Sequence, residues 1–152
     1  MDTMLCVVDV QYPFVQREDD AYVAAILLAV EQAKTEGHFI ALIEDNGGSI
    51  TDDRVRTALN GYGKLVTLRK GQWDGSLQVA IAVTDYKLRI ARFRLCGAFA
   101  EQCVLATAAG LRERFFEAEV EILRSASVPV PVRRFNNDEW ERVAKRLHIT
   151  VS

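Results

Sequence analysis

The 152-residue chain is 49% hydrophobic and 26% charged with a net charge of −2, so neither a basic nucleic-acid surface nor a patch for anionic membranes is expected. No apolar run approaches the ~20 residues that span a bilayer, and three cysteines without framework spacing predict reduced thiols in a cytoplasmic protein. The length fits one domain over 1–152, and MDTMLCVVDV, acidic at position 2, does not read as a signal peptide.

Met4–Val10 (MLCVVDV) is a near-continuous apolar run, the pattern of a strand covered on both faces. Asp19–Glu36 places Val23, Ile26, Leu27, Val30 and Ala33 at helical spacing, and Gly37 stops it. Phe39–Glu44 is the second strand, followed by the turn cluster DNGGS and a short helix over Arg54–Leu59. Leu65–Arg69 is the third strand, and Ser76–Asp85 a helix capped by Ser76 or Asp74. Ile90–Cys96 is the fourth strand, Glu101–Arg114 the next helix, and Ala118–Leu123 the fifth strand. Asn137–Leu147 is a helix capped by Asn136 or Asn137 and anchored by Trp140, and Ile149–Val151 a short sixth strand. This alternation predicts a three-layer α/β/α domain with a doubly wound parallel sheet.

In such sheets ligands bind beyond the carboxyl ends of the strands, where strand order reverses. Three reactive residues fall on that edge. Asp9 ends the first strand, Lys70 follows the third, and Cys103 follows the fourth after one short turn. Each alone reads as structural: a buried ion pair and a small packing thiol. Together they form a thiol, a carboxylate to take its proton and an ammonium to stabilise a thiolate at a helix N-terminus. Backbone N–H groups in the AFAEQC turn are placed to hold an oxyanion. The expected chemistry is attack on a carbonyl or similar carbon, followed by hydrolysis.

Competing chemistries fail on spacing. Cys6, Cys96 and Cys103 form no C-x-x-C. The positions six residues after them hold Tyr12, Gln102 and Ala109, where a cysteine phosphatase needs arginine. His38 and His148 precede strands and so lie at the opposite edge, against a Cys–His dyad or a zinc site. No G-x-G-x-x-G follows a strand. A phospho-receiver needs an aspartate where Leu68, Arg69 and Lys70 stand.

Three blocks carry a resemblance. LCVVDVQYPF, LRKGQW and LCGAFAEQCVLATAAGL resemble, in order and spacing, the opening strand, lysine block and nucleophile block of the isochorismatase-like cysteine hydrolases, which include nicotinamidases and related amidases. The resemblance spans roughly residues 4–127. It implies a sheet order of 3-2-1-4-5, with a possible sixth strand, and a catalytic triad of Asp9, Lys70 and Cys103. It implies a non-proline cis peptide at Ala98–Phe99 and oxyanion donors at the backbone N–H groups of Phe99 and Cys103. Phe14, Trp73 and Phe99 become candidate walls of a small-molecule pocket, and Gln11 a hydrogen-bonding residue near Asp9 or in the turn. Cys6 and Cys96 read as inert core thiols.

The departures refine the expectation. IEDNGGS has no histidine where nicotinamidases carry an Asp and two His that bind a metal, so no metal and no cofactor is expected. Ala100 and Glu101 replace a Thr and an Asp of the nucleophile block, and Arg124 stands where an Asp is usual. The chain is also short for the family. The leading expectation is a metal-independent cysteine hydrolase cleaving a C–N bond of a small amide through a thioester. The alternative is an inactive relative serving as a binding or assembly protein. The resemblance and the apolar VPVPV segment, followed by Arg133 and Arg134, predict a homo-oligomer, dimer or tetramer. In the predicted order Lys70 lies two strands from Asp9, about 9–10 Å away, and must reach across the end of strand two.

Overall fold

The apolar runs become strands because their alternate residues find cover on opposite faces. In β1 (Asp2–Val8) Met4, Cys6 and Val8 face one hydrophobic cluster, while Leu5 and Val7 face another. β2 (Phe39–Asp45) divides the same way, with Ala41 and Ile43 on the first side and Ile40 and Leu42 on the second. Residues so placed are buried, and each larger aliphatic side chain among them stabilises the fold by about 1.5–3 kcal/mol relative to exposure. The computed structural model describes residues 1–131 and 138–152.

Helices cover both faces. α1 (Asp20–Thr35) and α2 (Asp53–Ala58) pack Val23, Ile26, Val30 and Val55 on the Leu5 side. α3 (Ser76–Asp85), α4 (Leu105–Arg114) and α5 (Asp138–Arg146) pack Val79, Val83, Ala108, Leu111, Trp140 and Ala144 on the Met4 side. Between them lie β1, β2, β3 (Leu65–Lys70), β4 (Ile90–Ala98), β5 (Glu119–Val128) and β6 (Thr150–Val151). The pairings are all parallel, in the order β3-β2-β1-β4-β5-β6. Strand order reverses between β1 and β4, which places the switch point there. Among the described residues no helix is long and apolar enough to cross a membrane.

Several boundaries differ from the sequence reading. β1 ends at Val8 rather than Val10, because Asp9 turns into the left-handed region at φ 51. β4 runs on through Gly97 and Ala98, and β5 through Ser127 and Val128, because a register shift lets these residues pair with each other beyond Leu95. The polar composition of LRSAS masked that extension. The segment before α4 is not α-helical from Glu101: Ala100–Val104 is a π-helical turn, with Val104 N–H reaching Phe99 O at 3.2 Å. α3 has Gly75 at its N-cap, and Asp74 Oδ1 accepts from Ser76 N–H at 2.7 Å. Val128 is fully buried and Val130 N–H is bonded by Glu101, so this part of VPVPV packs on its own chain. Val132, Arg133, Arg134 and the capping residues Asn136 and Asn137 lie outside the described residues.

One glycine sets the spacing at the switch point. Gly97 pairs with Val8, has φ +122, and a Cβ built on it would sit 1.9 Å from the Val8 carbonyl oxygen. No side chain fits there. Gly97→Ala is expected to lower unfolding stability by about 3 kcal/mol or more, from backbone strain and forced separation of the strands. Urea denaturation checks this against Gly63→Ala, where nothing lies within 4 Å of the added Cβ; equal midpoints for the two variants would refute it.

Candidate active site

The carboxyl ends of β1, β2 and β3 build one polar cluster. Asp9 follows β1 directly, in a left-handed conformation that aspartate tolerates better than most residues. Its N–H donates to Ile43 O at 2.8 Å, fixing it to the neighbouring strand. Lys70 is the last residue of β3, in register with Asp45 at the end of β2. Its side chain does cross β2, and it is fully buried.

Three acceptors receive the Lys70 ammonium. Nζ donates to Asp9 Oδ2 at 3.0 Å, Asp45 Oδ2 at 3.2 Å and Gln72 O at 2.9 Å. An ammonium has three N–H groups, so all of its donors are engaged. Gly75 lines the path of the stem: an added Cβ would lie 3.2 Å from Lys70 Cδ and 3.0 Å from Ile43 Cγ2. Gly75 is itself held by Thr107 Oγ1, which accepts its N–H at 3.0 Å.

Cys103 enters from the other side of the switch point. It lies within the π-helical turn and is 8% exposed. The Phe99 carbonyl accepts from the N–H groups of Gln102 and Val104, skipping that of Cys103. Such widened turns recur at functional sites. The Ala98–Phe99 peptide leading into the turn is cis. The Cys103 thiol interacts with both Asp9 and Lys70.

Electrostatics outweigh one expectation. The sequence reading has the helix N-terminus and Lys70 favouring a thiolate. Lys70 acts in that direction, but burial, and then the Asp9 charge, push the Cys103 thiol up to about 12. The resting sulfur is therefore protonated. Burial also raises the Asp9 carboxyl above its usual range, with the Asp45 charge adding to the rise, while Cys103 and Lys70 oppose it. Burial works against the Lys70 ammonium, but the charge and hydrogen bond of Asp9, joined by the Cys103 charge and the Asp45 hydrogen bond, outweigh it and raise the Lys70 pKa. Asp9 Oδ2 is tied to Lys70, whereas Oδ1 is buried with no hydrogen-bond partner among the described residues.

The structure brings Phe14 against Phe99, edge to face at 6.1 Å between ring centroids. Trp73, grouped with them in the sequence reading, is 56% exposed. Arg124 does not enter the cluster: its Nε lies 2.8 Å from Glu141 Oε1 on α5. Cys6 and Cys96 are fully buried in β1 and β4, and burial raises both thiols.

Sequence reasoning missed Asp45. Its main-chain N–H donates to Gln11 Oε1 at 2.7 Å, and its carbonyl accepts from Gln11 Nε2 at 3.1 Å. Its carboxylate accepts from Gly47 N–H at 2.7 Å through Oδ1 and from Lys70 through Oδ2. Gln11 thus meets both expectations: its side chain clamps the turn after β2, and its main-chain N–H donates to Asp9 O at 2.9 Å. The available signal was topological: a lysine reaching from β3 to β1 must pass the last residue of β2.

The architecture defines the class: an α/β/α domain of isochorismatase-like fold, with an aspartate, a lysine and a cysteine converging at its switch point. No protein-family model matches the sequence, and no curated protein matches it. Among solved structures, a nicotinamidase/pyrazinamidase from Bacillus subtilis superposes with a TM-score of 0.81, covering 100% of both chains at 14% identity. N-carbamoylsarcosine amidase from Thermoplasma acidophilum gives 0.80, covering 100% of this chain and 96% of its own, at 19% identity. The MAR1 ribonuclease from Caenorhabditis elegans gives 0.79 at 15% identity, covering 99% of this chain and 76% of its own. At these identities the likeness establishes the fold, and activity must be argued from the site.

Lys70 contributes stability as long as it is charged. Its folded pKa is raised above the ordinary 10.5, so the contribution is fully present below that value and is lost as pH rises through the folded pKa. Lys70→Met strands the Asp9 carboxylate without a counter-ion and is expected to cost about 3–5 kcal/mol near neutral pH. The deficit narrows as pH falls and Asp9 takes up a proton. Urea titrations at several pH values check both size and trend; a pH-independent loss would contradict the charge argument.

Proposed function

We propose that the chain is a metal-independent cysteine hydrolase of the isochorismatase-like family, cleaving a C–N bond of a small amide. The carrying observation is the split environment of Asp9. One carboxylate oxygen holds the Lys70 ammonium, the other is buried without a hydrogen-bond partner, and the thiol of Cys103 interacts with the same carboxylate.

The chemistry follows from that arrangement. Asp9 takes the Cys103 proton as sulfur attacks the amide carbonyl carbon, and the carbonyl π electrons move to oxygen. The backbone N–H groups of Phe99 and Cys103 stabilise that oxyanion. The intermediate collapses with cleavage of the C–N bond, the proton on Asp9 passes to the leaving nitrogen, and a thioester remains. Water then attacks the thioester while Asp9 accepts its proton. The acid leaves, and the proton returns to sulfur. Lys70 keeps Asp9 oriented and offsets the charge that develops beside it. A neutral thiol and a carboxyl of raised pKa suit this route, since proton transfer accompanies attack rather than preceding it.

The donor set speaks against a metal-dependent variant. The turn after β2 has no histidine, and both Asp45 oxygens are engaged, by Gly47 N–H and Lys70. No group of three or more His, Cys, Asp or Glu among the described residues could hold a metal ion. Phe14 and Phe99 provide an apolar, aromatic wall for the substrate.

Burial favours the second reading, a non-catalytic binding or assembly protein: Cys103 is only 8% exposed. An ammonia-release screen over small primary amides and carbamoylated amines separates the two. Turnover by the wild type, abolished in a folded Cys103→Ala variant, is expected. Iodoacetamide should label Cys103 ahead of the fully buried Cys6 and Cys96. Turnover retained without Cys103, or RNA cleavage with no amide hydrolysis, would overturn the amidase reading.

We also propose a homo-oligomer, dimer or tetramer. The support is an apolar surface on α3, where Leu77 and Ile81 lie one turn apart and are 47% and 52% exposed, with exposed Trp73 just before the helix. Light scattering at micromolar concentration should give a multiple of the 17.0 kDa chain mass; a single-chain mass would remove the proposal.

A further inference from the structure

The Lys70 ammonium that acts on the Cys103 sulfur is shared with three oxygen acceptors. Two of its three donors go to Asp9 and Gln72 O, and the third goes to Asp45 Oδ2 at 3.2 Å. Asp45 is no accidental neighbour. Gln11, itself fully buried, holds both its main-chain N–H and its carbonyl, and Gly47 N–H holds the second carboxylate oxygen. Its side chain is 20% exposed, so the carboxylate is partly solvated while the ammonium it binds is not.

We infer that Asp45 is a positioning residue that competes with the Cys103 sulfur for the Lys70 ammonium and thereby helps to hold the thiol in its neutral, resting form. The inference rests on the proposed role of Cys103 as nucleophile. Its logic is a count of charges and donors. One ammonium faces two carboxylates, so the cluster of Asp9, Asp45 and Lys70 carries a net charge of −1 when all three are ionised. A thiolate formed beside it meets a negative field and an ammonium shared with two carboxylates. Without the Asp45 charge the cluster becomes neutral, and a neutral acceptor at position 45 competes less strongly for the Lys70 ammonium. Direct repulsion of the thiolate falls in the same step. The charges acting on Cys103 are those of Asp9 and Lys70, and Asp45 acts on both of these; with less negative charge in the cluster and weaker competition for Lys70, the thiol pKa should fall.

The pH dependence of Cys103 alkylation tests this without a substrate. Wild type and Asp45→Asn are treated with iodoacetamide over a range of pH, and labelling of each cysteine is mapped by peptide mass. A drop of about one pKa unit multiplies the thiolate fraction about tenfold and lowers its intrinsic nucleophilicity by about threefold. Cys103 in Asp45→Asn should therefore react about threefold faster at neutral pH, with its rate profile shifted to lower pH. Cys6 and Cys96 should be unchanged. If Asp45→Asn fails to fold by circular dichroism, Asp45→Ser provides the same charge removal and is read the same way. Equal Cys103 rates at every pH in a folded variant, including no labelling at all, overturn the inference. So does an unshifted profile with a uniformly changed rate, which would mark a merely structural role. The nucleophile reading is judged separately, by whether wild-type labelling prefers Cys103 over the other two thiols.

Discussion

A lysine ammonium without access to water must find all three of its acceptors within the protein. Lys70 finds them at Asp9 after β1, Asp45 at the end of β2 and Gln72 O just beyond β3. The carboxyl ends of three strands are thereby tied to one atom. The arrangement works only if β2 stands between β3 and β1, because the lysine stem then passes over Asp45 on its way to Asp9. Apolar packing on both faces builds the sheet, and the buried cation makes its strand order matter for the polar edge.

The other half of the site depends on how closely β4 approaches β1. With no side chain at Gly97, the Val8 carbonyl sits where a Cβ would be, and the chain can enter the π-helical turn beside Asp9. The thiol therefore meets the carboxylate at the point where strand order reverses. Burial acts on both groups in the same direction and keeps the sulfur protonated at rest. On the proposed mechanism this protects a reactive group until a carbonyl is in place, since the proton has somewhere to go only as the new bond forms.

The turn after β2 shows how one fold accommodates different edges. Gln11 clamps Asp45, and buried Glu44 accepts from Thr51 Oγ1 at 2.8 Å, so the segment between them is held at both ends. Its acidic residue serves the lysine. A change of a few residues in such a turn alters the donor set offered to a ligand while leaving the sheet intact, consistent with solved structures of this fold that include both amidases and a ribonuclease.

The sequence by itself determined the layer architecture, the polar residues gathered at the switch point and the burial of Cys6 and Cys96. Apolar runs such as MLCVVDV and helical spacing such as Val23, Ile26 and Val30 are local patterns that each require cover on particular faces. What only the tertiary structure decided depends on neighbours far apart in the chain. Asp45 looked like a turn residue because the lysine it binds is 25 positions away. Gln11 looked ambiguous because its partners lie 34 and 38 positions on. The extension of β5 through LRSAS required the edge of β4, and the π-helical turn required the backbone of Phe99. The balance of forces on Cys103 is set by the fold for the same reason. Residue types show which charges are present, but burial and the number of engaged donors decide which charge prevails, and both are properties of the folded chain.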